Sequence, residues 1–189
     1  YKSNYIMKHL TFFFLIFIIF NIFKVANANN ATLAYDFSFN DINGKELNLN
    51  QHKGKVLVVV NVASRCGFTN QYKDLQAISD KYKESDVIVL GVPTNNFKQE
   101  PGNNKNIKDF CETNFGITFP MTEKLNVIGS DAHPFYKWAK KTYGLGAVPK
   151  WNFHKIIINK NGKVSNTFSS ITNPSSSKFI ASLEAEIRN

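Results

Sequence analysis

Residues Val56 to Val62, with the sequence VLVVVNV, restrict the fold of this chain more than any other segment. A short, almost wholly apolar and mostly β-branched run is typical of a strand that is buried on both faces of a sheet. Between Asn70 and Tyr82, apolar side chains recur at helical spacing, and Val87 to Val92 is a second apolar run. Strand, helix and strand follow one another within 37 residues, which predicts a βαβ unit with a right-handed crossover.

The segments around this unit predict the rest of the architecture. An Asn43-Gly44 turn between two segments of alternating polarity predicts an N-terminal β-hairpin. Later elements are predicted in the order helix, helix, strand, strand, helix, at residues 107–115, 134–142, 153–158, 164–168 and 174–187. This order predicts an α/β protein with a mixed central sheet flanked by helices, which is the thioredoxin-like fold with an N-terminal β-hairpin extension.

The N-terminal segment has the pattern of an export signal. A nearly continuous apolar run extends from Leu10 to Phe23, and Ala26-Asn27-Ala28 has the small-x-small pattern of a signal peptidase site. The run is shorter than the ~20 residues that span a bilayer, so no stable membrane anchor is expected. Residues 1–28 are therefore interpreted as a signal peptide, and we expect export to the periplasm or secretion after cleavage.

The remaining residues, 29–189, have the size of a single domain. Met7 is interpreted as the natural start of the chain, and residues 1–6 as an upstream translation artefact. The formal net charge is +9, and three of the positive charges lie in the predicted signal peptide. Since no basic motif interleaved with aromatic residues is present, no nucleic-acid partner is expected. The histidines at positions 52, 133 and 154 are scattered, so no metal site is predicted.

The chain has two cysteines, Cys66 and Cys111. In an exported protein two cysteines suggest one disulfide. A structural bridge that closes a loop of this length would stabilise the fold by about 4 kcal/mol. The spacing alone leaves open whether the two residues form a structural disulfide or a redox pair.

Cys66 lies where α/β proteins place their active sites. It follows the first buried strand directly, at the carboxyl end of that strand, and a helix is predicted next. The unpaired N–H groups near a helix N-terminus and the adjacent Arg65 both favour a thiolate, which is the nucleophilic form of cysteine. Thr69 stands where a thioredoxin would carry a second cysteine, so local disulfide exchange is not available. The alternative is a buried, inert cysteine.

Three motifs resemble those of the glutathione peroxidase family. Asn61 to Thr69 resembles the nucleophile motif, Pro93 to Gly102 the second motif and Lys150 to Lys155 the third, in family order and at family spacing. The resemblance covers about residues 35–187. It implies a thioredoxin-like fold and the reduction of hydrogen peroxide and of organic or lipid hydroperoxides. A thiol reductant would be the co-substrate, and no other cofactor is expected.

The resemblance also implies a catalytic tetrad of cysteine or selenocysteine, glutamine, tryptophan and asparagine. Its members map to Cys66, Asn96, Trp151 and Asn152. Neutral N–H donors aimed at the sulfur favour thiolate over thiol and can orient the peroxide. Asn96 departs from the family, because its amide has a stem one methylene shorter and its loop is one residue shorter. The contact is therefore expected to be lost, made through water or made by Asn95.

Cys111 stands where the cysteine-type members of the family carry a resolving cysteine. The resemblance implies that the sulfenic acid of Cys66 condenses with Cys111, and that a thioredoxin-like protein or glutathione reopens the disulfide. The segment from Tyr136 to Trp151 is short and lacks the assembly insertion of the tetrameric members. A monomer with an open site is therefore expected.

Two functions of other classes remain as alternatives. A peroxide sensor or relay would pass a disulfide from Cys66 to a partner protein, with slow peroxide turnover and fast formation of a mixed disulfide. A non-enzymatic secreted domain with a structural Cys66–Cys111 disulfide would be inert to peroxide and would unfold on reduction.

Overall fold

The computed structural model describes residues 32–189. The predicted signal peptide over residues 1–28, on which the expected export depends, lies outside the described residues. Within residues 32–189, no helix is long and apolar enough to cross a membrane. Residues Leu33–Asn189 form one structural unit.

The described residues form short strands and helices in the predicted order. The strands are β1 (Ser38–Asn40), β2 (Glu46–Asn48), β3 (Val56–Val62), β4 (Val87–Pro93), β5 (Lys155–Ile158) and β6 (Val164–Phe168). The α-helices are α1 (Gln71–Lys81), α2 (Asn104–Phe115), α3 (Pro134–Tyr143) and α4 (Ser177–Arg188). Helix α1 lies between β3 and β4, so the predicted βαβ unit is present.

A four-stranded mixed sheet forms the centre, with the strand order β4-β3-β5-β6. Strands β3 and β4 are parallel and in register from Val56 opposite Val87 to Val62 opposite Pro93. Strand β5 runs antiparallel to both β3 and β6. Strands β1 and β2 form the separate N-terminal hairpin. Both the mixed sheet and the hairpin extension are confirmed.

Helices cover both faces of the sheet because β3 is apolar on both faces. All seven residues of β3 are buried, and successive side chains of a strand point to opposite faces. The four even-numbered residues from Val56 to Val62 all belong to one buried cluster with side chains of α1, α2 and α4. Leu57 and Val59 belong to a second cluster with side chains of α3 and the hairpin.

Three element boundaries differ from the predictions by two or three residues. Asn103 accepts a hydrogen bond from the N–H of Asn106, and α2 therefore begins three residues earlier than predicted. Ser176 caps α4, which begins three residues later. Phe153 has a φ of +63°, which is incompatible with a strand, so β5 begins only at Lys155.

Candidate active site

Cys66 lies in the turn that follows the carboxyl end of β3. Helix α1 begins five residues further on, at Gln71, so Cys66 precedes the first helical turn. The backbone N–H of Phe68 instead donates to Cys66 Sγ at 3.4 Å, and a donor to the sulfur favours the thiolate. Cys66 is 8% exposed. A Cβ built on the neighbouring Gly67 would meet no atom within 4 Å, so the approach beside the thiol is open.

Thr69 closes the turn that carries the nucleophile. Its Oγ1 accepts from the backbone N–H of Cys66 at 3.0 Å. The same hydroxyl lies 2.7 Å from the carbonyl oxygen of Cys66 and 3.1 Å from that of Ala63, either of which can accept its proton. The residue that replaces the second cysteine of a thioredoxin therefore has a defined structural role.

Glu100 anchors the nucleophile loop from the side of the second motif. Its carboxylate Oε2 accepts from both the backbone N–H and the hydroxyl of Ser64, at 2.7 and 2.8 Å. Glu100 is almost completely buried. Burial raises the pKa of its carboxyl group, while the two hydrogen bonds from Ser64 act in the opposite direction. A buried carboxylate thus fixes the backbone two residues before Cys66.

Gln99 connects the nucleophile loop to Asn152. Its carbonyl oxygen accepts from the N–H of Arg65 at 3.1 Å. Its side-chain Oε1 accepts from Asn152 Nδ2 at 2.8 Å. Asn152 is fully buried, and its Oδ1 has no hydrogen-bond partner among the described residues. One residue of the second motif therefore touches both the nucleophile loop and a predicted member of the tetrad.

Trp151 is held at the site by its backbone and by one ring contact. Its carbonyl oxygen accepts from Asn61 Nδ2 at 3.1 Å, and Asn61 Oδ1 accepts from the N–H of His154 at 3.1 Å. The indole ring of Trp151 packs against Phe97, with ring centroids 5.4 Å apart. The side chain is 42% exposed, so the indole is accessible to a substrate.

The structure does not bring the amide of Asn96 to this group. Asn96 Oδ1 accepts from the N–H of Val127 at 2.7 Å, and its Nδ2 donates to Asn126 at 3.0 Å. Asn95 does not replace it, because its Oδ1 accepts from the N–H of Glu100 at 3.0 Å and closes the loop internally. Both asparagines shape the shortened loop, and the side chain that reaches Asn152 is that of Gln99.

Cys111 lies on the inner side of α2 and is fully buried. Burial raises the pKa of its thiol to about 11, while the neighbouring Tyr72 hydroxyl lowers that pKa in part. The hydroxyl of Tyr72 makes no hydrogen bond of normal geometry within residues 32–189. Both cysteines are free thiols and belong to the same buried cluster.

Lys155, the last residue of the third motif, is fully buried. Its Nζ donates to Gln71 Oε1 at 2.5 Å and to the carbonyl oxygen of Thr172 at 2.6 Å. Burial lowers the pKa of the Lys155 ammonium group to about 7. The side chain links β5 to the first residue of α1 and to the loop after β6, so it helps to fix the end of the nucleophile turn.

The motif pattern did not assign roles to four of these residues: Asn61, Gln99, Glu100 and Lys155. Asn61 and Lys155 carried a usable signal, because a polar residue within an apolar strand must find buried partners. Gln99 has the residue type of the family's tetrad, but the motif alignment places Asn96 at that position. The three histidines remain apart, and no group of His, Cys, Asp and Glu that could hold a metal ion occurs in the part of the chain that the structure describes.

Comparisons with known proteins show the family to which the chain belongs. The family model described as glutathione peroxidase matches residues 34–140. A glutathione peroxidase-like peroxiredoxin 2 of Saccharomyces cerevisiae is 45% identical over 150 residues, which are 77% of this chain and 92% of the relative. A hydroperoxy fatty acid reductase of Synechocystis is 43% identical over 158 residues, or 79% of this chain and 92% of the relative.

Solved structures show the same architecture. The crystal structure of Trgpx in its apo form is 40% identical, has a TM-score of 0.68, and the match covers 85% of this chain and 98% of the other. A thiol:disulfide interchange protein of the thioredoxin family from Chlorobium tepidum is 17% identical, with a TM-score of 0.62 and coverage of 82% and 96%. The second likeness concerns the fold alone, and it confirms the predicted thioredoxin-like fold.

Proposed function

This chain belongs to the glutathione peroxidase family and is a peroxide-reducing oxidoreductase, and from this premise we propose that Cys66 is its peroxidatic nucleophile and Cys111 its resolving cysteine. The observation that carries the proposal is the Cys66 turn. An N–H group is aimed at its sulfur, open space adjoins it, and the second and third motifs are bonded to Ser64 and Asn61 of the nucleophile motif.

In the first step the Cys66 thiolate attacks one peroxide oxygen. The O–O bond breaks, an S–O bond forms, and the second oxygen leaves as water or an alcohol after it takes up a proton. The sulfur is thereby oxidised by two electrons to a sulfenic acid. The N–H of Phe68 stabilises the thiolate before attack. Trp151 and Asn152 would orient the peroxide through their N–H groups.

In the second step the Cys111 thiolate attacks the Cys66 sulfur, an S–S bond forms, and the oxygen leaves as water. Cys111 is enclosed in α2 and its pKa is about 11, so the helix must open locally first. Only two residues of α2 are fully buried, Ile107 and Cys111. A cavity of about 560 Å³ adjoins Cys111 on the side of the hairpin. Both features lower the cost of opening.

A protein dithiol then returns two electrons to the disulfide. Relatives named glutathione peroxidase-like peroxiredoxins favour a thioredoxin-type donor over glutathione for this chain. We propose a monomer, because the segment before Trp151 is short. The proposed site of action is outside the cytoplasm, which rests on the apolar run and the Ala26-Asn27-Ala28 pattern of the sequence.

Organic and lipid hydroperoxides are proposed as substrates besides hydrogen peroxide. Leu145 and Trp151, both exposed, line a cavity of about 320 Å³ beside the site. An apolar wall of this kind suits the alkyl part of an organic hydroperoxide. A relative named hydroperoxy fatty acid reductase supports the same class.

The test compares the wild type with Cys66→Ser and Cys111→Ser in NADPH-coupled turnover, with hydrogen peroxide or a fatty acid hydroperoxide and with thioredoxin or glutathione. One equivalent of peroxide should convert two free thiols of the wild type into one disulfide. Cys66→Ser should be inactive and folded. Cys111→Ser should react once with peroxide and then lose turnover supported by thioredoxin.

Two results would contradict the assignments separately. Turnover of more than a few per cent in Cys66→Ser would exclude Cys66 as the nucleophile. Normal thioredoxin-supported turnover in Cys111→Ser would exclude Cys111 as the resolving residue and leave the peroxidatic role of Cys66 intact. Slow peroxide turnover of the wild type, with fast mixed-disulfide formation, would favour a sensor or relay.

A further inference from the structure

We infer that Gln99, and not Asn96, is the amide residue that positions the active site, and that it acts through Asn152. The inference rests on the proposed function of Cys66. It depends on one juxtaposition: the backbone of Gln99 is bonded to the residue before Cys66, and its side chain is bonded to Asn152.

Both the oxygen and the nitrogen of the Asn96 amide are hydrogen-bonded to residues other than Cys66 and Asn152. Its Oδ1 accepts from the N–H groups of Val127 and Ile128, at 2.7 and 3.3 Å, and from the hydroxyl of Thr94 at 3.0 Å. Its Nδ2 donates to Asn126. Since these bonds tie the second motif to the segment after β4, moving Asn96 towards Cys66 would break the loop that the residue supports.

Gln99 is held in place independently of its side chain. Its carbonyl oxygen accepts from Arg65 N–H, and the next residue, Glu100, accepts from Ser64 twice. These bonds fix the Gln99 backbone relative to the Cys66 turn. The side chain therefore starts from a fixed point beside the nucleophile.

The bond from Asn152 to Gln99 sets the direction of a buried amide. Asn152 Nδ2 carries two hydrogens, and Gln99 Oε1 takes one of them at 2.8 Å. The plane of the Asn152 amide is then fixed, and its second N–H has one direction. Without Gln99, both ends of a fully buried amide would lack partners, since Asn152 Oδ1 already has none among residues 32–189.

Gln99 is therefore a positioning residue: it orients Asn152 towards the thiolate or the peroxide. In the shortened loop, the Asn96 side chain is bonded to the 126–128 segment, and the side-chain amide of Gln99 is bonded to Asn152.

The experiment measures the rate constant of Cys66 oxidation by hydrogen peroxide, in the Cys111→Ser background so that a single thiol reacts. Gln99→Leu removes the acceptor and the donor of the side-chain amide at similar volume. Gln99→Met is a second, unbranched variant in case the first does not fold. We expect a loss of about tenfold for either, which is typical of contacting residues that act as a unit. Lys98→Ala, on an exposed neighbour, should leave the rate constant unchanged.

A double-mutant cycle tests whether Gln99 acts through Asn152. Gln99→Leu should slow oxidation by less than about twofold when Asn152→Ala is already present, because the residue it positions is gone. Asn96→Ala should lower the thermal midpoint through its lost loop bonds, and should slow oxidation less than Gln99→Leu does. The pH midpoint of Cys66 alkylation by iodoacetamide should rise in Gln99→Leu, a change that loop packing alone would not produce.

The outcomes separate the inference from the proposed function. If the parent protein is not oxidised at Cys66, the proposed function fails. If the parent reacts and Gln99→Leu reacts equally fast, or is slowed equally in the presence and absence of Asn152, the positioning role of Gln99 is overturned while the function stands. A larger loss for Asn96→Ala than for Gln99→Leu would also overturn it.

Discussion

Replacement of Glu100 tests how the nucleophile turn is held. Glu100→Ala removes the acceptor of two hydrogen bonds, from the N–H and the hydroxyl of Ser64. Hydrogen bonds to charged groups contribute about 1.5–3 kcal/mol each to stability. Because Ser64 is partly exposed, water can bond to it in the variant and restore part of this stabilisation. We expect the free energy of unfolding to fall by about 2–4 kcal/mol, and the thermal midpoint of a domain of this size by roughly 5–15 °C.

Glu100→Gln separates the hydrogen bonds from the charge. Its side-chain oxygen can still accept from Ser64, so the loss of stability should stay within about 1 kcal/mol. Burial raises the pKa of Glu100 above its unfolded value. The folded state therefore disfavours ionisation of Glu100. The stability that its protonated form contributes is fully present below the pKa of the unfolded state, and it is lost as the pH rises through the pKa of the folded state. Relative to wild type, Glu100→Gln should gain stability between pH 4 and pH 7.

The assay is thermal unfolding of wild type and both variants at pH 4 and pH 7, together with the oxidation rate of Cys66. Glu84→Ala removes an exposed carboxylate and should change stability by no more than about 0.5 kcal/mol. Glu100→Ala should also slow oxidation, because the backbone before Cys66 loses its anchor. The reasoning is refuted if Glu100→Gln lowers the free energy of unfolding as much as Glu100→Ala does. It is also refuted if the difference in stability between wild type and Glu100→Gln is the same at both pH values.

Three further results are expected. In the reduced native protein at neutral pH, iodoacetamide should modify Cys66 before Cys111, because the Cys111 thiol is buried and its pKa is about 11; mass spectrometry showing equal modification would contradict the buried thiol. Formation of the Cys66–Cys111 disulfide should leave the thermal midpoint equal or lower, because α2 must open to form it; a clear rise on oxidation would indicate a structural bridge instead. Mass spectrometry of the native protein should find the chain cleaved after Ala28, and a mature chain that begins at Met7 or Lys8 would argue against the signal peptide.

The architecture was predictable because its main signals are local. The run from Val56 to Val62 requires two apolar layers, and the helical period that follows it supplies one of them. The predicted boundaries were wrong at the ends of some elements, where local backbone geometry and single hydrogen bonds determine the first residue. The cap at Asn103 and the positive φ of Phe153 moved two boundaries without any change in the apolar pattern.

The site was only partly predictable from the sequence. Its position after a buried strand predicts Cys66 as a candidate site residue without any contact information, because strand ends converge at one edge of a sheet. The choice between Asn96 and Gln99 depends on where a loop shortened by one residue directs two amides, and that is a three-dimensional property. The anchoring role of Glu100 was not predicted for the same reason, because its partner Ser64 lies 36 residues earlier in the chain.

The two thiols of the proposed cycle lie in different surroundings. Cys66 is at the end of the central strand, and its flanks are bonded to Thr69, Gln99 and Glu100. Cys111 is enclosed in α2, and a pKa of about 11 leaves roughly one thiol in 10⁴ ionised at pH 7. Opening of α2 would bring that pKa back towards its ordinary value of 9.0, which raises the thiolate fraction about 100-fold. In the proposed cycle the same motion also carries Cys111 towards Cys66, because a disulfide requires Cα atoms within about 7 Å. One local opening therefore both creates the second nucleophile and delivers it, so resolution should be limited by the stability of α2, whereas attack on the peroxide should not.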